Sequence, residues 1–267
     1  MKYQVLYPGG KEKVLTFSYD DGQIYDRRLV EMFNKYNVKA TFHLNAGTLG
    51  VNDGEDIFVE LSELSELYKG HEVSCHGYDH PYYAQLPHDQ MVYQIYEDKK
   101  ILESAIDYPI RGMSYPYGEF PDELVQTASA LGMEYSRTVE DTMGFNTPGD
   151  FMRWHPSCHH NKVFELLPDF INKPSYRDHL LFYVWGHSFE FHRENNWDLM
   201  EEFLQKVSGR DDVWYATNIE IKDYITAYRN LKVSVDQTKI YNPSAVAVYL
   251  KHEGEIKIAE PGKILYL

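Results

Sequence analysis

The 267 residues are 43% hydrophobic and 25% charged, ordinary values for a folded chain long enough to bury its own core. Forty-one acidic against 26 basic residues leave a net charge of −15; a field of that sign repels phosphate backbones and anionic bilayers, which excludes nucleic-acid binding as the main role and gives no membrane partner. Two cysteines, Cys75 and Cys158, exclude a disulfide scaffold. No apolar run nears the ~20 residues of a membrane span, and the first residues hold no signal-peptide core, so a cytoplasmic location is the expectation.

Residues 14–19 read as a first strand that stops at Asp20-Asp21-Gly22. Asp26 is placed to cap a helix to about Tyr36, with Leu29, Val30 and Phe33 at helical spacing. Residues 38–44 are a second strand, 59–68 a helix closed by Gly70, and 71–75 a third strand. The longest helix spans 89–106, followed by strand four at 109–115, a helix opened by Pro121, and strand five at 133–138. Residues 180–185 form a nearly continuous apolar run, as expected of a strand covered on both faces. A helix at 197–207, strand seven at 213–216 and a last helix capped by Asn218 follow.

Strands alternating with helices imply right-handed crossovers and a parallel α/β sheet. Seven units of about 30 residues suit a barrel better than an open six-stranded sheet. Residues 1–230 form one domain on this reading. Residues 231–267, with Asn-Pro and Pro-Gly turns, read as a small C-terminal β appendage packed on it.

Ser18-Tyr19-Asp20-Asp21-Gly22 places adjacent carboxylates just past a strand. Such a pair can be a plain turn, or it can divide metal ligation from proton abstraction. His76-Gly77-Tyr78-Asp79-His80 follows strand three, and two imidazoles four residues apart reach one cation if the backbone between them turns tightly. In a parallel barrel both strand ends open on one face. One Asp and two His then leave coordination positions open, as a catalytic metal requires. His187 ends strand six and can donate a proton to a leaving group. Ser114-Tyr115-Pro116-Tyr117-Gly118 follows strand four and can shape a loop whose N–H binds an oxyanion. His155-Pro156-Ser157-Cys158-His159-His160 offers further metal donors. However, adjacent histidines diverge on any regular element, so the string reads as a loop lining the cleft near Trp154. Cys75 reads as a small core residue.

Order and content of these motifs resemble the polysaccharide deacetylases that share the NodB homology domain (carbohydrate esterase family 4), over about residues 12 to 230. The resemblance implies a distorted, incomplete barrel of seven parallel strands. It also implies Asp21, His76 and His80 as metal ligands, Asp20 as base, His187 as general acid and the Tyr117 N–H as oxyanion donor. The metal is zinc by donor type, with cobalt, nickel, manganese or iron also accepted. The substrate is an acetylated sugar or oligosaccharide losing acetyl, N-acetyl foremost.

Three departures stand out. Gly77 occupies a position where the family has Ser or Thr. Ser114 stands where it has Arg, which leaves Arg111 or Arg153 as candidates to hold the base beside the substrate. Asp150-Phe151-Met152-Arg153-Trp154 only approximates its Asp-x-x-Asp-Trp string. Two other readings compete: hydrolysis of a cyclic amide on the same fold, and sugar binding without catalysis.

Overall fold

The computed structural model describes residues 3–174 and 179–267. A short strand β1 (Gln4–Leu6) precedes β2 (Lys13–Asp20), α1 (Asp26–Lys35) and β3 (Ala40–Leu44). A four-residue α2 (Leu64–Leu67), β4 (Glu72–Cys75), α3 (His88–Glu103), β5 (Gly112–Ser114), α4 (Asp122–Ala130) and β6 (Tyr135–Arg137) continue the alternation. Then come β7 (Cys158–His159), α5 (Val163–Asn172), β8 (Leu180–His187), α6 (Ser188–Arg193), α7 (Trp197–Val207), β9 (Val213–Tyr215) and α8 (Asn218–Arg229). The tail holds β10 (Lys232–Val233), β11 (Lys239–Tyr241), β12 (Val248–His252), β13 (Glu255–Ala259) and β14 (Ile264–Tyr266).

Seven parallel strands, in the order β6-β5-β4-β3-β2-β8-β7, curl into an incomplete barrel. β9 pairs with the first residues of β2, on the edge that β3 takes over further along. The two-residue β7 at the sheet margin was not expected from the sequence: so short a run carries no periodicity to read.

β2 is buried on both faces, and its two faces differ. Leu15, Phe17 and Tyr19 join the large core that the helices cover, while the alternate residues Val14, Thr16, Ser18 and Asp20 belong to the other face. β8 follows the same rule, with Leu181 and Tyr183 leading to Trp185 and His187. The inner face therefore runs from apolar to polar toward the C-terminal strand ends, where a parallel barrel keeps its site. At the opposite end, Val14, Leu181, Ala216 and Tyr224 pack with Ile240, Val248 and Leu250 of the tail. β1 pairs with β12 there, so the first strand forms one sheet with β12 and β13, while β10, β11 and β14 form another.

Three boundaries move for local reasons. The helix expected over 59–68 shortens to a 3₁₀ turn and α2, because Glu60 and Glu63 form a reciprocal cap that starts the turn late. Asp26 is the first residue inside α1, its carboxylate buried and accepting from Tyr68 Oη at 2.7 Å, instead of capping from outside. Thr217, not Asn218, caps α8, in a capping box with Glu220.

Candidate metal and catalytic site

The parallel register sets Asp20 opposite both His43 of β3 and His187 of β8. Asp21, one residue past the strand, adopts a left-handed conformation with φ 79° and Gly22 follows with φ 71°. That sharp turn separates the directions of the two adjacent carboxylates. Past β4 the chain turns again, with positive φ at Gly77 and His80, and this folds His80 back beside His76 at a ring separation of 4.8 Å. The tight turn that the His-x-x-x-His spacing needed is therefore present.

His76 Nε2 lies 3.5 Å and His80 Nε2 3.7 Å from the same Asp21 oxygen, Oδ1. That oxygen is buried and accepts no hydrogen bond. Donor atoms on a tetrahedron of bonds near 2.1 Å are separated by roughly 3.4 Å, so the spacing fits one transition metal. His76 is prepared for that task. Its Nδ1 lies 3.0 Å from the Ser114 carbonyl, which can only accept, so Nδ1 carries the proton and Nε2 offers a lone pair. Burial holds the His76 imidazole well below its usual pKa and hence neutral. Asp98 accepts from the His76 backbone N–H at 3.0 Å and the Ala46 N–H at 2.7 Å, which fixes the strand end.

Asp20 is held from a direction the sequence did not reveal. Arg137, the last residue of β6, pairs its Nη2 with Asp20 Oδ2, while Nε donates to Ser18 Oγ at 3.1 Å and Nη1 to the Thr138 carbonyl at 3.0 Å. The guanidinium is fully buried and lies under the Trp185 indole, 4.7 Å from its centroid. Ser114 pairs with Arg137 in the β5–β6 register and donates from Oγ to Asp20 Oδ1 at 3.2 Å. The arginine has thus moved one strand sideways from the expected position. Burial alone would raise the Asp20 pKa, but Arg137 and then the neighbouring imidazoles outweigh it and hold the carboxyl well below the usual range.

Neither arginine proposed from the sequence reaches this place. Arg111 precedes β5, at the far end of the strand, where it pairs with Glu134 and Asp223. Arg153 pairs at the surface with Asp122 and Asp150. Trp154 is fully buried among Tyr135, Phe151 and Tyr183, so its ring has no face open to a ligand. All three leave the candidate site.

His187 Nδ1 lies 3.3 Å from Glu190 Oε2, which also accepts from the His187 backbone N–H at 2.9 Å. Burial would lower the imidazole's pKa; the Glu190 carboxylate beside Nδ1 and the charges of Asp21 and Asp20 outweigh it and raise it to about 9. Glu190 carried a signal that was not used: an acid three residues past a strand-end residue, at the start of a helix, marks a capping box. Tyr117 has φ 57° within the Pro116–Gly118 turn, and its exposed ring stands 4.3 Å from that of His80.

A model of the polysaccharide deacetylase family matches residues 8–136. Over that stretch, just under half of its length, the chain is similar to the polysaccharide deacetylases. It is 28% identical over 145 residues to a peptidoglycan-N-acetylglucosamine deacetylase of Bacillus cereus, covering 53% of this chain and 50% of that one. The curated relatives it matches are covered over only 27% to 50% of their own length. A polysaccharide deacetylase structure from Mycobacterium smegmatis superposes with a TM-score of 0.64 at 19% identity, over 84% of this chain and 94% of that one. A family 4 acetyl xylan esterase from Clostridium thermocellum, in complex with a cobalt ion, gives 0.52 at 18% identity over 78% and 89%. Both superpositions support the incomplete (β/α) barrel.

Proposed function

We propose that this chain is a deacetylase, a metal-dependent hydrolase that removes acetyl groups, N-acetyl foremost, from a carbohydrate. The observation that carries the reading is the unpartnered Asp21 Oδ1 facing two imidazole nitrogens, one residue from a carboxylate that Arg137 keeps ionised. Asp21, His76 and His80 would hold one divalent metal, zinc by donor type, which supplies carbonyl polarisation and a lowered water pKa.

Asp20 takes a proton from the attacking water. A carboxylate held so far below its usual pKa is a weak base alone, so this step depends on the water being acidified beside it. The water oxygen bonds to the acetyl carbon, and the Tyr117 N–H holds the oxyanion that develops. His187 protonates the departing nitrogen as the C–N bond breaks, and acetate leaves.

Acetate release from acetylated chito- and xylo-oligosaccharides, measured beside metal content, tests this reading. Asp20→Asn should retain its metal and lose at least ~10²-fold in rate; turnover near wild type would overturn the mechanism. Turnover of a cyclic amide with no acetate from any sugar would replace the substrate class. Metal-free binding of sugar without turnover would favour a binding protein.

A further inference from the structure

His159 ends β7 and His160 opens the 3₁₀ turn that follows. The change of backbone direction between them removes the divergence expected of neighbours on a regular element. Both rings instead converge on Glu190 in the first turn of α6: His159 Nε2 lies 3.0 Å and His160 Nε2 3.7 Å from Glu190 Oε2, with all three donor atoms within 4.8 Å of one another. These separations are close to those around Asp21 Oδ1, at 3.5 and 3.7 Å.

His160 is the second observation. It is fully buried, sandwiched between Tyr19 and Phe191, and neither ring nitrogen has a hydrogen-bond partner. Leaving such a group buried and unpaired costs folding free energy. The fold nevertheless makes room for it: a Cβ on Gly186 would fall 2.1 Å from His160 Nδ1.

We propose that His159, His160 and Glu190 form a second transition-metal site, separate from the Asp21 triad, which binds zinc or a similar borderline dication. Two imidazoles and a carboxylate are a usual donor set for such an ion, with further positions left for water. In the metal-free state His159 Nε2–H donates to Glu190, and its Nδ1 accepts a long 3.4 Å contact from the Asn161 N–H. Binding exchanges that tautomer for Nδ1–H and gives up the long contact, with no net proton released by His159. Glu190 Oε2 also lies 3.3 Å from His187 Nδ1, so the second site shares an oxygen with the surroundings of the proposed general acid.

The experiment is zinc stoichiometry by elemental analysis after equilibration with zinc and desalting. It compares wild type with His76→Ala, His160→Ala and the double variant. About two zinc ions per chain in wild type, one in each single variant and none in the double would establish the second site. Wild type with one or no zinc, and no loss on His160→Ala, overturns it. Zinc lost with His160→Ala but not with His76→Ala supports this site while sinking the metal reading of the Asp21 triad, so the two proposals fail separately. Should His160→Ala fail to fold, Glu190→Gln removes a ligand from a partly exposed position and must show the same loss.

Discussion

Glu190 governs how far up the pH scale His187 remains a proton donor. The imidazole must be charged to protonate a leaving group, and its raised pKa of about 9 keeps it so through neutrality. Of the influences that raise it, the Glu190 carboxylate, 3.3 Å from Nδ1, comes first. Glu190→Gln should therefore shift the alkaline limb of kcat/KM to lower pH by roughly one unit or more, leaving the acid limb in place. A pH–rate profile with both limbs unmoved would remove Glu190 from the proton-donor network. Asp20, Asp21, His76, His80 and His187 were legible in the sequence because each sits in a short string at a strand end. Arg137 was not, because its role depends on Ser114 and Arg137 lying in register, and a single sequence does not encode the register of parallel strands.

At the level of elements, the long apolar and β-branched runs identified the parallel strands, while what lies between them was read less well. α5 went unread since Pro168 falls inside it; packing of Val163, Leu166, Leu167 and Phe170 in the core outweighs the one N–H that proline removes. The loop after β4 shows why a departure from the family pattern need not be a loss. Gly77 has φ 79°, and a Cβ there would lie 2.9 Å from both Pro81 Cδ and Tyr83 Oη. Glycine is what allows the chain to return His80 to His76. Restoring the family's hydroxyl with Gly77→Ser should weaken zinc binding at the Asp21 triad by about tenfold or more and lower the melting temperature. Competition with a chelator gives the affinity, and unchanged affinity with unchanged melting would show the turn to be tolerant.

The whole molecule is joined at the end away from the candidate site. The tail was legible as a β appendage, but its pairing with β1 was not, since 247 positions separate Gln4 from its partner Lys251 and nothing local marks that pairing. Glu72 shows how tightly the barrel is tied there. Its carboxyl accepts from Thr41 Oγ1 of β3 at 2.9 Å, Tyr135 Oη of β6 at 2.8 Å and the Ile219 N–H of α8 at 3.0 Å. Burial nevertheless raises its pKa to about 7, and burial likewise raises Asp26 and Asp98 to about 7. A carboxyl whose folded pKa is raised binds its proton more tightly in the native state. Its contribution is fully present below the unfolded value near 4.5 and is lost as pH rises through about 7. For Glu72 the difference amounts to roughly 3 kcal/mol. The net charge of −15 acts in the same direction, because self-repulsion grows as the last carboxyls ionise. Urea denaturation should therefore give a midpoint that falls between about pH 5 and pH 8. Glu72→Gln, which keeps an accepting oxygen and cannot ionise, should flatten that fall while Glu→Gln exchanges at exposed positions do not. Equal slopes in wild type and Glu72→Gln would mean that Glu72 is ionised in the folded protein throughout this range.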